Sequence, residues 1–173
     1  MWAREHEFDD AVQRAATRYG VPAPLILATI GVESGFRPDA LNEGDPGGAW
    51  GLMQMIPATA RGLGYPGPMQ ALLSDPGLAI ELGTRLLAQN LAATAGSVAD
   101  SVSAYNGGFR PSLGYSRVRA DGTYANQAYV DRVLAAYRYF GGEAASVDSP
   151  SFPPASLRGH PGVDVPPGSS EVT

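Results

Sequence analysis

Residues 25–32 form an almost uninterrupted apolar run, and a carboxylate, Glu33, follows it directly. A helix through this run would be buried on most of its sides. Gly35 can end that helix and Pro38 prevents it from resuming, so Glu33 would lie in the last helical turn. There the helix dipole and poor solvation both raise the pKa of the carboxyl group. A carboxylic acid that stays protonated near neutral pH suits a general acid, and the alternative is a frayed helix end with a solvated glutamate.

Composition and charge exclude several other kinds of chemistry. The 173 residues suit one domain with a sizeable core. The net charge is -5 and no basic stripe is interleaved with aromatics, so nucleic acid is not an expected partner. The chain has no cysteine, and His6 and His160 lack neighbours at ligand spacing. We therefore expect no disulfide, no thiol nucleophile, no metal and no cofactor.

The chain also lacks the patterns of membrane and export segments. No apolar run reaches the roughly 20 residues that a membrane span needs. Residues 1–7 contain neither the basic nor the apolar region of a signal peptide. The sequence therefore predicts no membrane span and no signal peptide.

Helical periodicity dominates residues 1–142, and strand signals are nearly absent. We predict an all-α or nearly all-α domain over this range, with a long turn-rich loop at residues 39–51. The Asp75-Pro76 pair and Ser97 are predicted helix starts. The predicted helices cover about residues 5–19, a segment ending at 33, a short segment after 57, and about 76–91, 98–106 and 124–140.

The helix that begins at Pro76 has a predicted leucine face and a predicted ion pair. Leu78, Leu82 and Leu86 fall on one side of it, with Leu87 and Leu91 beside them. Glu81 and Arg85 have the i,i+4 spacing of a stabilising ion pair.

Residues 143–173 have a different composition, with prolines among serines and glycines and few aliphatic residues. Such a segment cannot bury enough apolar area to fold alone. We predict an extended Pro/Gly/Ser-rich tail that is held by the domain surface or by a neighbouring subunit.

Two predicted helices end in polar residues backed by glycine, at residues 33–35 and 105–107. Between them, the glycine at position 51 permits a turn that would bring Gln54 close to a bound ligand. A carboxylic acid, an amide and a phenol around one groove suit a sugar polymer. Taken alone, Met53 is better explained as a core residue than as a ligand contact. Tyr105 could likewise be a core tyrosine whose hydroxyl has a hydrogen-bond partner.

In order along the chain, these blocks resemble the soluble lytic transglycosylases of the lysozyme-like superfamily. The blocks are ESGFRP at residues 33–38, GAWGLMQMIPATA at 48–60, AYNGG at 104–108 and YV at 129–130. Each block is weak alone, and their combination is specific. The resemblance implies a lysozyme-like helical fold with a substrate cleft over roughly residues 5–142.

The resemblance also implies a role for each matched residue. Glu33 matches the sole catalytic acid/base, and the other matched residues belong to substrate binding and its support. Those residues are Ser34 beside the acid, Met53 and Gln54 on the cleft floor, Tyr105 orienting the acid or the intermediate, Asn106 as a structural partner of that turn, and Tyr129 closing the cleft.

The chain departs from the family pattern at two places. Many members carry Glu-Thr-Arg-x-Tyr-Val before the terminal helix, and this chain has ANQAYV at residues 125–130. A substrate-binding carboxylate is thus missing. Trp50 replaces a residue that is often small, and it either adds a sugar-stacking surface or fills space.

The implied activity is cleavage of the β-1,4 bond between N-acetylmuramic acid and N-acetylglucosamine, with formation of a 1,6-anhydro sugar. A hydrolytic muramidase is the enzymatic alternative, and its second carboxylate would come from Asp39, Glu43 or Asp45. A structural virion or tail component with little or no turnover is the alternative of another class.

The expected partners are peptidoglycan glycan strands and, through residues 143–173, other virion or secretion-apparatus subunits. We expect a protein made in the cytoplasm that acts on the cell wall after delivery by a phage virion or a secretion machine.

Overall fold

A computed structural model describes residues 4–44, 47–108, 118–119 and 121–143. In these residues the fold is built from helices, with one hairpin of two-residue strands, which confirms the nearly all-α prediction. The elements are α1 Asp9–Tyr19, α2 Ala23–Ser34, β1 Leu41–Asn42, β2 Ala49–Trp50, α3 Pro57–Gly62, α4 Ala71–Ser74, α5 Pro76–Ala93, α6 Val98–Gly107 and α7 Gln127–Tyr139.

Helix α2 lies in the centre of the core, as its uniform hydrophobicity predicts. Leu25, Ile26 and Ile30 are fully buried, and α2 packs against α1 and α7. The helix ends at Gly35, which adopts the left-handed conformation with φ 60°. Because the apolar residues fix α2 inside the domain, its last turn has a defined place relative to α7.

The predicted helix starts at Asp75 and Ser97 are confirmed. The Asp75 side chain accepts a hydrogen bond from the Leu78 amide at 3.0 Å, and the Ser97 hydroxyl accepts one from the Asp100 amide at 3.3 Å. Each bond satisfies an amide that has no partner within its own helix.

The predicted leucine face of α5 packs on the core, and its members differ in burial. Leu82, Leu87 and Leu91 are buried, whereas Leu78 and Leu86 lie only at the edge of the core. Helix α5 packs against both α1 and α6, so its buried surface is wider than one leucine stripe and includes small and polar residues. These additional buried residues are Ala79, Ile80, Gly83, Thr84 and Asn90.

The predicted pair between Glu81 and Arg85 is also replaced by contacts to another helix. Glu81 Oε1 lies 3.1 Å from Arg18 Nη1 and accepts a hydrogen bond from the Tyr19 hydroxyl at 2.9 Å. Both partners are on α1, which packs beside α5. Tertiary packing therefore gives Glu81 partners that helical spacing does not reveal.

The loop at residues 39–51 contains the hairpin, which was not predicted because two-residue strands show no periodicity. Leu41 pairs with Trp50 in antiparallel register. The Trp50 indole nitrogen donates to the Gly47 carbonyl at 2.9 Å, so this side chain supports the turn. The amide of Gly51 then donates to the Ala40 carbonyl at 2.8 Å and closes the hairpin end.

Within the described ranges, none of the helices has both the length and the apolar character that crossing a membrane requires. The predictions about the C-terminal tail concern residues 143–173, and all but the first of these lie outside the described residues.

Candidate active site

The carboxyl group of Glu33 lies in the last turn of α2, where the helix leaves the core. The Gly35 amide donates to the Gly31 carbonyl at 3.1 Å and closes the helix behind it. Glu33 itself is only partly exposed. The glutamate is therefore largely surrounded by protein and keeps some contact with solvent.

Tyr129, in the first turn of α7, holds this carboxyl group. Its hydroxyl donates a hydrogen bond to Glu33 Oε1 at 2.6 Å, between residues 96 positions apart in the sequence. The Tyr129 side chain is buried with 6% of its surface exposed. A short bond from a buried phenol fixes the rotamer of the acid.

Burial raises the pKa of Glu33 to about 7, and this effect outweighs two opposing ones. The Tyr129 hydrogen bond and the positive charge of Arg132 both favour the carboxylate and lower the pKa. Burial and the charge of Glu33 raise the pKa values of Tyr105 and Tyr129 well above the ordinary value. Both phenols therefore remain protonated donors while Glu33 titrates near neutrality.

Tyr105 approaches the same site from α6. Its hydroxyl donates to the Met53 carbonyl at 2.8 Å, and the charge of Glu33 acts on it. The resemblance implies that Tyr105 orients the acid or the intermediate, and this role stays a prediction. The hydroxyl that bonds Glu33 directly is that of Tyr129. Tyr105 instead ties α6 to the segment after the hairpin.

Gln54 has a left-handed backbone with φ 46°. Its amide nitrogen donates to the Ala40 carbonyl at 3.1 Å and to the Gly51 carbonyl at 2.9 Å. Within the described part of the chain, its carbonyl oxygen has no hydrogen-bond partner. The side chain is thus fixed by its donor end, with an acceptor left for a ligand.

Ser34 and Met53 do not present their side chains at a cleft surface. Ser34 is 4% exposed, and its hydroxyl donates to the Ile30 carbonyl one turn back at 3.1 Å. Met53 is fully buried, and its sulfur lies where a side chain on Gly83 would begin. In this structure Met53 therefore offers its backbone carbonyl to Tyr105, and the Ser34 hydroxyl bonds its own helix. A role of either residue in substrate binding stays a prediction.

Asn106 is exposed, and its side-chain oxygen accepts a hydrogen bond from Asn126 at 3.0 Å. Asn126 also bonds Ser103 of α6, so the predicted structural role of Asn106 involves a residue that the sequence did not single out. The signal that could have identified Asn126 is its place directly before α7.

Other ionisable groups are sparse around Glu33. Asp39 and Glu43 are exposed, and neither is among the causes of the Glu33 pKa shift. Asp45 lies outside the described residues. Across the described ranges, no three histidines, aspartates or glutamates gather as a metal site would require.

Comparison with known proteins places this sequence in a family. The Transglycosylase SLT domain family matches residues 10–129. Membrane-bound lytic murein transglycosylase C of Edwardsiella ictaluri is 38% identical over 119 residues, which cover 61% of this chain and 32% of that protein.

Solved structures give the same result. An inactive mutant of the lytic transglycosylase Slt of Pseudomonas aeruginosa superimposes with a TM-score of 0.63 at 25% identity, covering 81% of this chain and 24% of that one. The 70 kDa soluble lytic transglycosylase of Escherichia coli gives a TM-score of 0.60 at 28% identity, covering 79% and 25%. A 70-kDa soluble lytic transglycosylase in complex with bulgecin A gives 0.62 at 27% identity, covering 90% and 26%.

The chain spans between 24% and 32% of the length of these relatives. The family match nevertheless covers more than half of the chain and includes Glu33, Gln54, Tyr105 and Tyr129. On this evidence the chain belongs to the transglycosylase SLT domain family.

Proposed function

We propose that this protein is a peptidoglycan lytic transglycosylase that cleaves the β-1,4 bond between N-acetylmuramic acid and N-acetylglucosamine. The observation that carries the proposal is the pair of Glu33 and Tyr129, in which a partly buried carboxyl group with a pKa of about 7 is held by one short hydrogen bond. A group with this pKa can donate a proton and take one back at neutral pH.

The proposed reaction uses Glu33 twice. Protonated Glu33 donates to the glycosidic oxygen, and the bond from that oxygen to C1 of the muramic acid breaks. The acetamido group of the same sugar stabilises the cationic C1. The C6 hydroxyl then attacks C1 while the Glu33 carboxylate takes its proton, which regenerates the acid and leaves a 1,6-anhydro ring without consuming water.

The remaining site residues have supporting roles in this proposal. Tyr129 keeps Glu33 on the rotamer that faces the scissile bond. The Gln54 carbonyl oxygen accepts from a sugar hydroxyl or N–H group, and Tyr105 fixes the wall of the cleft through the Met53 carbonyl. The names of the relatives, which are lytic transglycosylases, support this choice of reaction.

A hydrolytic muramidase would need a second carboxylate about 5 Å or about 6.5–9.5 Å from the first, depending on its stereochemical course. The mechanism proposed above needs only Glu33, whose raised pKa lets one group serve first as acid and then as base. A structural component without turnover would have no need for a buried acid with a raised pKa.

The experiment that tests the proposal is mass spectrometry of muropeptides released from purified sacculi. We expect products that end in 1,6-anhydro-N-acetylmuramic acid, which are lighter by one water than hydrolysis products and resist borohydride reduction. Reducible ends would instead identify a muramidase, and intact sacculi would support the structural alternative.

Replacing Tyr129 by phenylalanine should move the pH dependence of cleavage. The Tyr129 hydrogen bond lowers the pKa of Glu33, so its loss raises that pKa above about 7. Because the protonated acid is the active form, the alkaline limb of kcat/KM should shift to higher pH. We expect kcat to fall about tenfold, since the acid loses its fixed orientation.

Initial rates on purified sacculi between pH 5 and 9 measure both effects. Tyr137→Phe is a matched control, because this tyrosine is also buried on α7 and makes no hydrogen bond to Glu33. An alkaline limb that stays in place in Tyr129→Phe would show that the phenol does not act on the acid.

Action at the cell wall follows from the proposed substrate. Delivery by a phage virion or a secretion machine, and partner subunits along residues 143–173, stay predictions.

A further inference from the structure

Asn126 joins the start of α7 to α6 through every polar atom of its side chain. Its Oδ1 accepts from the Ser103 hydroxyl at 2.8 Å. Its Nδ2 donates to the Ser103 carbonyl at 3.0 Å and to Asn106 Oδ1 at 3.0 Å. We refer to these three bonds between Asn126, Ser103 and Asn106 as the amide clamp.

The clamp requires an amide at position 126. An amide side chain supplies one acceptor and two donor hydrogens, and all of them are used here. The side chain makes no capping bond to α7 itself, although asparagine at this position ordinarily caps its own helix. Ser103 is buried, with 2% of its surface exposed, so the clamp is anchored inside the domain.

The backbone of Asn126 connects the clamp to the site. Its carbonyl accepts from the amide of Tyr129 at 2.9 Å and from the amide of Val130 at 3.2 Å. The phenol of Tyr129 then reaches Glu33 at 2.6 Å. One hydrogen bond therefore separates the clamp from the residue that holds the acid.

Helix α6 itself has a fixed position at the site. Tyr105, one residue before Asn106, bonds the Met53 carbonyl. The clamp thus ties the start of α7 to the helix that already forms one side of the site. The neighbouring Gln127 bonds the Tyr124 amide and Asp131, which are local contacts and do not reach α6.

From these contacts we propose that Asn126 is a positioning residue for catalysis: it locks the first turn of α7 onto α6 so that Tyr129 stays on Glu33. The inference rests on the proposed function, and it adds to that function a residue in the segment where the chain departs from the family pattern.

Asn126→Ser tests the inference. Serine caps helices well, so α7 still begins at the same residue, but its short side chain cannot bridge to α6. We expect kcat on sacculi to fall about five- to tenfold while KM changes less than about twofold, because the lost interaction orients the acid and does not bind substrate. The matched control is Gln127→Ala, which disturbs the same helix start without touching the clamp, and it should keep kcat within about twofold.

A double-mutant cycle with Tyr129→Phe separates positioning from a general structural role. If Asn126 acts through Tyr129, adding Asn126→Ser to the Tyr129→Phe variant should lower kcat almost no further. Multiplicative losses in the double variant would overturn the proposal. If Asn126→Ser does not fold, Ser103→Ala provides a second test, because it removes a single bond of the clamp. This variant should lose less kcat than Asn126→Ser, and its loss should likewise be non-additive with that of Tyr129→Phe. Additive losses for Ser103→Ala would also count against the proposal. An inactive wild type, in contrast, would refute the proposed function itself.

Discussion

Replacing Glu33 by glutamine should lower the rate of peptidoglycan cleavage by about two to four orders of magnitude, the range that general acid–base catalysis supplies. The amide has nearly the same shape but cannot donate a proton to the glycosidic oxygen or take one from the C6 hydroxyl. Glycan binding should be largely kept, because the rest of the cleft is unchanged. Release of soluble muropeptides from purified sacculi, together with sedimentation of the variant with sacculi, measures both quantities.

The same variant has a predicted effect on stability, with a sign set by the raised pKa of Glu33. The folded protein binds the Glu33 proton more tightly than the unfolded chain does, so this group's contribution is fully present below about pH 4.5 and is lost as pH rises through about 7. Glutamine removes that dependence. Above pH 7, we therefore expect Glu33→Gln to unfold at a higher temperature than the wild type.

Glu81→Gln is the matched control for this experiment. Glu81 is a partly exposed glutamate whose partners are Arg18 and Tyr19 of α1, and its replacement should leave cleavage within about twofold of the wild type. If Glu33→Gln keeps more than a tenth of the wild-type rate, Glu33 is not the acid.

Gly51→Ala should destabilise the domain by about 4 kcal/mol or more, which is the range of severe core disruptions. A Cβ atom on Gly51 would lie 2.4 Å from the Leu72 carbonyl oxygen. Because this oxygen belongs to the backbone, it cannot move aside as the end of a flexible side chain could. Gly51 also has φ 73°, a conformation that is strained for residues with a side chain. To admit the methyl group, the hairpin and the segment before α5 would have to separate.

Thermal and urea unfolding measure this loss. Gly64→Ala is the matched control, since Gly64 has φ 78° but no atom within 4 Å of an added Cβ, and it should cost only about 1–2 kcal/mol from backbone strain. Similar losses in the two variants would show that the close approach at Gly51 contributes nothing beyond the backbone conformation.

The parts of the fold that the sequence predicted are those that local chemistry determines. The apolar run before Glu33 predicts a buried helix, and Asp75 and Ser97 predict helix starts, because these features depend on residues within one or two turns. The hairpin at Leu41 and Trp50 was missed because strands of two residues have no detectable period. The partners of Glu81 were missed because they lie on another helix.

At the site, too, the features set by neighbouring residues were predictable and the contacts between distant helices were not. The position of Glu33 at a helix end and its raised pKa followed from the sequence around it. The hydrogen bond from the Tyr129 hydroxyl to Glu33 could not be predicted in this way. The two residues are 96 positions apart in the sequence, and only the packing of α7 on α2 brings them together. The resemblance supplied Tyr129 as a residue of the cleft and gave the orienting role to Tyr105.

Ser34 and Met53 show a limit of reasoning from motifs. Both lie beside residues at the site, but the Ser34 hydroxyl bonds its own helix and the Met53 side chain fills the core. A motif records which positions recur, and it does not separate side chains that face a cleft from those that support it. Asn126 is the converse case, a residue that departs from the family pattern and whose hydrogen bonds only the fold reveals.

Carbon-13 NMR titration of the glutamate carboxyl groups tests the central claim most directly. Protein labelled at glutamate Cδ can be titrated from pH 3 to 9, and the Glu33 resonance is identified by its absence in Glu33→Gln. We expect this carboxyl group to titrate at about pH 7. Titration near the ordinary value of 4.5 would contradict the assignment of Glu33 as an acid that is protonated at neutral pH.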